Sequence, residues 1–98
     1  KFSVETVGTS VLKKDIKLIT LGHGRTKILM WSQMHGNEST TTKSILDLIN
    51  FLMEKSDASK SILEACTIKI IPILNPDGAL AYTRVNANGV DLNRDAQN

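Results

Sequence analysis

Two apolar segments of strand length, Ile28 to Met34 and Thr67 to Asn75, are separated by a stretch with helical periodicity. In that stretch Ile45, Leu48, Ile49, Leu52 and Met53 fall at i, i+3, i+4, i+7 and i+8, which lines one face of a helix. Strand, helix, strand in this order leaves few topologies. A crossover of this length joins parallel strands and packs its helix against the sheet. Ahead of it, Phe2 to Val7 and Ile16 to Leu21 alternate apolar and polar residues, with a turn at Gly8 to Ser10. These two read as a hairpin. Hairpin and crossover together predict an α/β fold built on a mixed β-sheet with flanking helices.

The punctuation fits this plan. Gly22-His23-Gly24 reads as a tight turn with His23 exposed to water. Asn37 can cap the long helix, with Glu38 at its positive end and Lys55 near its negative end. Asp57 to Ala65 reads as a short second helix capped by Asp57. Pro72 has no N–H, so strand pairing should weaken near it. Beyond Pro76 the chain reads as loop, with one helical turn at Ala79 to Tyr82. Trp31 is expected in the core, and Cys66 as an inert packed thiol. Active sites in such sheets lie at the carboxyl ends of strands. His35 and Asn75 end the two apolar strands, so both fall on that edge.

Ninety-eight residues make one domain at most. The net charge is +2, and Lys13-Lys14 is the only adjacent basic pair, so no nucleic-acid patch is present. No apolar run reaches the length of a membrane span. The single cysteine, Cys66, excludes an intrachain disulfide, which suits a reducing compartment and a secreted protein equally. Lys1 rather than Met stands first, as in a processed product or an excised portion, so localisation stays open.

Chemistry concentrates in three runs: Met34-His35-Gly36-Asn37-Glu38, Asn75-Pro76-Asp77-Gly78, and Arg84-Val85-Asn86-Ala87-Asn88-Gly89-Val90-Asp91-Leu92-Asn93-Arg94. An imidazole and a carboxylate three residues apart can meet on one metal ion, and zinc accepts both. Alone, His-x-x-Glu fits a solvated turn better than a site. Asp91 alone fits a loop aspartate holding its own turn, and Arg94 a surface arginine paired with Asp95. Proline and glycine in Asn75 to Gly78 suit a turn.

In this order the three runs resemble the zinc carboxypeptidases, the funnelin metallopeptidases related to carboxypeptidase A. The likeness is good from about Lys27 to Ala96, and Asn-Gly-x-Asp-Leu-Asn-Arg is its most specific part. It departs at Asp95-Ala96, where many members carry asparagine and an aromatic. The resemblance implies a Zn2+ cofactor with His35 and Glu38 as its first two ligands. It implies that Asp91 accepts the other N–H of His35 and fixes its tautomer. It implies that Arg84 stabilises negative charge on the scissile carbonyl oxygen. It further implies that Asn93 and Arg94 hold the free C-terminal carboxylate of a peptide substrate, for which a planar guanidinium is suited. The turn at Asn75 to Gly78 is expected to carry Arg84 toward the metal.

No second histidine stands in a plausible position downstream, and no glutamate follows Glu64. The third zinc ligand and the general base are therefore expected elsewhere. Residues 1–98 read as the N-terminal portion of a single zinc carboxypeptidase catalytic domain, inactive alone. Self-association through the open edge and uncovered face of the sheet is expected. Two other readings compete. One is an N-acyl amino acid amidohydrolase of the aspartoacylase and succinylglutamate desuccinylase type, which shares the fold and a His-Gly-x-Glu start. Asn-Pro-Asp-Gly and the Asn-Ala-Asn-Gly insertion favour the peptidase. The other is a non-catalytic fragment that binds metal or peptide.

Overall fold

A computed structural model describes residues 2–94. Four strands form one mixed sheet in the order β1-β2-β4-β3. β1 (Phe2–Thr9) and β2 (Asp15–Gly22) make the expected antiparallel hairpin. Val7 is an extra residue between the Thr6–Lys17 and Gly8–Ile16 pairs, a bulge that breaks the alternation at that point. β2 pairs antiparallel with β4 (Cys66–Ile71), and β4 pairs parallel with β3 (Thr26–Trp31). Between β3 and β4 run α1 (Ser39–Met53) and α2 (Asp57–Ala65), so the parallel crossover is present. β4 ends at Ile71, immediately before Pro72, as the missing N–H requires.

The register explains the core. Ile28 pairs with Ile68 and Ile68 with Leu21; Met30 pairs with Ile70 and Ile70 with Ile19. These side chains share one face, because neighbours in register point the same way. Ile49 and Leu52 of α1 close onto Leu21, Ile68 and Ile70, and Leu63 of α2 packs beside them. Of the helical stripe read from Ile45, Leu48, Ile49, Leu52 and Met53, the first four pack on the core, whereas Met53 at the helix end is 50% exposed.

Several local expectations are corrected. β3 stops at Trp31 rather than Met34, because Gln33 turns into the left-handed region at φ 54°. Trp31 is not core: it is 50% exposed, and Leu29 59%. Strand alternation sends both to the face opposite the helices, and no described element covers them. β1 is exposed along its whole length rather than half, since it forms the outer edge of the sheet. Glu38, not Asn37, occupies the N-cap of α1, and its side chain makes no capping bond. Ser56 caps α2 by accepting from Ser59 N–H at 3.1 Å, which leaves Asp57 in the first turn. The expected helical turn at Ala79 to Tyr82 is the later part of α3 (Pro76–Ala81). That helix starts earlier because Pro76 is preset for a first helical position and Asn75 accepts from Gly78 N–H at 2.9 Å.

Candidate metal centre

His35 leaves the carboxyl end of β3 and Asn75 that of β4, so both lie on one edge of the sheet, as expected. The turn from His35 into α1 is closed by Glu38 N–H donating to the His35 carbonyl at 3.1 Å. It folds the Glu38 carboxylate back until its Oε1 lies 2.9 Å from His35 Nδ1. The other ring nitrogen, Nε2, lies 2.9 Å from Asp91 Oδ1. The His35 side chain is only 11% exposed, whereas that of Glu38 is half exposed. The imidazole is therefore fixed from behind and open at Nδ1.

Asp91 is the busiest acceptor of the site. Besides His35, it takes the Asn93 backbone N–H at 3.0 Å on Oδ1 and Arg84 Nε at 3.0 Å on Oδ2. Partial burial works to raise its pKa. The hydrogen bonds from His35, Asn93 and Arg84 and the charge of Arg84 outweigh this and hold it below the ordinary carboxylate value. Asp91 is thus a standing anion behind the histidine.

Arg84 is about half exposed and reaches this point from the segment after α3. Asn75 ties that segment in place. Its Oδ1 caps α3, while its Nδ2 donates to the Val85 carbonyl at 3.0 Å. The Asn75 to Gly78 run is more than a turn: it is a helix start whose cap also holds the residue next to Arg84. Gly36 and Gly78 bring this helix against the His35 turn. A Cβ on Gly36 would lie 1.9 Å from the Gly78 carbonyl carbon, so only glycine permits the approach.

Asn93 and Arg94 sit in a short 3-10 turn, Leu92–Arg94. Asn93 lines a cleft of about 280 Å³ together with Trp31, His35, Glu38 and Thr41. Arg94 is exposed; its backbone N–H donates to Asp91 O at 2.9 Å, and its guanidinium meets the Asn93 carbonyl at 3.4 Å. Asp95, the alternative partner for Arg94, lies outside the described residues. His23 stays apart and exposed in its turn.

Whether zinc suits the His35–Glu38 pair can be judged from the donors. When Nε2–H is given to Asp91, the neutral ring turns a lone pair at Nδ1 toward the Glu38 carboxylate. Two acceptors then face each other at 2.9 Å, and a proton or a metal cation between them makes the arrangement favourable. An imidazole nitrogen and a carboxylate oxygen, with a second carboxylate behind the ring, are a donor set that zinc takes. The pair fits. Among the described residues, no three His, Cys, Asp or Glu side chains converge on one point.

Three contacts were not legible in the motifs. Asp77 is buried and anchors the hairpin tip, accepting Ser10 Oγ at 2.7 Å and Leu12 N–H at 3.0 Å. Arg84 is held by the same carboxylate that holds His35. Gln33 is buried beneath the His35 turn. For Asp77, its place in the Asn-Pro-Asp-Gly run is a signal; for Gln33 the sequence offers none.

The mixed sheet thus carries an imidazole paired with a carboxylate just past its strand ends. The family model for zinc carboxypeptidase matches residues 1–97, and the chain belongs to that family. It is 34% identical over 93 residues to cytosolic carboxypeptidase 6 of Caenorhabditis elegans, covering 87% of this chain and 20% of that protein. The crystal structure of a metallo-carboxypeptidase from Pseudomonas aeruginosa, in complex with (2-guanidinoethylmercapto)succinic acid, superposes with a TM-score of 0.87 at 33% identity. That match covers 96% of this chain and 27% of the other. A metallo-carboxypeptidase from Burkholderia cenocepacia gives a TM-score of 0.89 at 28% identity, over 96% of this chain and 28% of that one. The chain spans a fifth or less of the curated relatives, as with the 20% of the nematode protein and 6% of cytosolic carboxypeptidase 1 from Xenopus laevis. The mixed sheet is that of its structural neighbours.

Proposed function

We propose that residues 1–98 are the N-terminal portion of a single zinc carboxypeptidase catalytic domain that releases C-terminal residues from peptides. The observation that carries this reading is the fixing of His35 Nε2 by Asp91, which leaves Nδ1 and Glu38 together in a cleft also lined by Asn93. Zinc would be held by His35 and Glu38, with a further ligand and a general base from outside the described residues. When bound there, zinc supplies Lewis-acid polarisation of a carbonyl and acidifies water. Asp91 keeps the imidazole in one tautomer and orientation. Arg84 stabilises the oxyanion, and Asn93 with Arg94 bind the substrate carboxylate. Arg84 is already anchored through Nε, so its outer nitrogens can turn to substrate without the chain reordering.

The test compares three substrates with the catalytic domain that contains this chain: a peptide with a free C-terminus, the same peptide amidated, and an N-acyl amino acid. The expectation is cleavage of the free acid alone, with Arg94→Ala raising KM more than it lowers kcat. Preferential hydrolysis of the N-acyl amino acid would replace this reading with the amidohydrolase one. The 98-residue chain by itself is expected to show no turnover, and its open β3 edge with exposed Leu29 and Trp31 supports self-association.

A further inference from the structure

Gln33 lies two residues before His35, and every hydrogen-bonding group it has is engaged. Its backbone N–H donates to Thr41 Oγ1 at 3.0 Å, and its carbonyl accepts Asn75 N–H at 3.1 Å. Its side-chain Nε2 donates to the Gly36 carbonyl at 2.9 Å, and its Oε1 accepts from Thr42 Oγ1 at 2.6 Å. One residue therefore touches the start of α1 twice, the cap of α3, and the turn between His35 and Glu38. It is 7% exposed, so water does not compete for these bonds.

The conformation is unusual as well. Gln33 sits at φ 54°, a region that non-glycine residues adopt rarely and at a cost. A turn that needed only this backbone angle would be served better by glycine. The side chain supplies what glycine cannot. Its amide bridges Gly36, inside the His35–Glu38 turn, to Thr42 in the first turn of α1. That helix begins right after Glu38. The bridge thus spans both sides of the turn that brings Nδ1 and Oε1 to 2.9 Å.

We infer that Gln33 is a positioning residue: its side-chain amide, rather than its backbone conformation, sets the separation of His35 Nδ1 and Glu38. The inference rests on the reading of these two residues as metal ligands, but its signature is present without metal. The Nδ1 side of the ring depends on the turn that Gln33 braces. The Nε2 side depends on Asp91, which arrives on a separate segment 56 residues away. Loss of the amide should disturb the first and spare the second.

The experiment follows the two His35 ring nitrogens by 15N NMR in the isotope-labelled, metal-free catalytic domain that contains this chain, at one pH, with thermal unfolding and zinc titration alongside. Gln33→Gly removes the amide and relieves the left-handed strain; Gln33→Ala removes the amide and keeps the strain. In both variants the Nδ1 resonance should shift and broaden while Nε2 holds its position. Gln33→Gly should melt above Gln33→Ala, and zinc affinity should fall about tenfold or more in both. A wild-type Nδ1 resonance in Gln33→Gly overturns the inference. So does joint movement of both nitrogens, or failure of both variants to fold, because either marks a structural role only. If the wild-type domain takes no zinc while the Nδ1 change remains selective, positioning stands and the metal reading falls.

Discussion

His35 Nε2 and Asp91 Oδ1 lie 2.9 Å apart although 56 residues of chain separate them. This contact joins the two halves of the proposed site: the turn after β3 carries His35 and Glu38, the pair proposed to bind metal, and the segment after α3 carries the arginines. Asp91 also accepts from Arg84 Nε, so one carboxylate orients the imidazole and the guanidinium together.

Asp91→Ala should therefore loosen both. Removing the acceptor behind a ligating histidine typically lowers metal affinity by roughly 10- to 100-fold. The same loss is expected for zinc here, measured by competition against a chromophoric chelator. Asp91→Asn retains an acceptor for Nε2–H and loses the charge that draws Arg84, so its affinity should fall between wild type and Asp91→Ala. An Asp91→Ala chain with undiminished zinc affinity would separate Asp91 from the site.

The depressed pKa of Asp91 has a consequence for acid stability. Its folded form binds a proton more weakly than the unfolded chain, where aspartate titrates near about 3.9. The stabilisation is therefore complete above that pH and is lost as pH falls through the lower folded value. Urea midpoints taken from pH 6 downward should drop more steeply below about pH 4 in wild type than in Asp91→Asn. Parallel curves would mean that the hydrogen bonds to Asp91 contribute nothing in solution.

Asn75 offers a stability test of the clamp between the site's two segments. Asn75→Ala removes a helix cap, costing about 0.5–2 kcal/mol. It also removes one of two donors to the part-buried Val85 carbonyl, which keeps Thr83 Oγ1, costing about 0.5–1.5 kcal/mol more. Asn75→Ser keeps a capping oxygen and loses the donor to Val85, so it should recover part of the loss. Chemical denaturation of the three proteins would order them wild type, Ser, Ala; equal stability of the two variants would assign the whole effect to the bond between Asn75 and Val85.

Much of the fold was legible because local periods carried it. The stripe from Ile45 to Leu52 named the buried face of α1, and Pro72 marked the end of β4. The motif residues His35 and Asn75 lie four residues past the ends of β3 and β4, on the edge of the sheet where the strand-ending turns put them. What was not legible depends on partners distant in sequence. Trp31 reads as core in any apolar strand; its exposure follows from what lies over that face of the sheet. Nothing in the chain around Ser10 announces that it pairs with Asp77. Asn37 and Asp57 are both good capping residues, yet the turns place Glu38 and Ser56 at those positions. The meeting of His35 with Asp91 came from resemblance, since no short-range rule links them.

Leu29 and Trp31 predict association. They stand side by side on an uncovered face of a strand whose outer edge has no partner among the described residues. Such edges pair with other chains. Light scattering of the 98-residue chain should show a mass that rises with concentration, and Leu29→Lys with Trp31→Lys should return it toward the monomer. A monomer at all concentrations in wild type would exclude the expectation.

Zinc and a proton should compete for His35. With Asp91 on Nε2, the only ring nitrogen free to face Glu38 is Nδ1, and a metal entering there displaces any proton that bridges the pair. Binding then releases a proton, and apparent affinity rises with pH. Calorimetric titrations in buffers of different ionisation enthalpy should give heats that vary linearly with that enthalpy. His35→Ala and Glu38→Ala should each abolish the binding, since either leaves a single donor. A heat independent of buffer, with binding intact in His35→Ala, would place the metal on other groups and remove the basis for reading Nδ1 and Glu38 as its ligands.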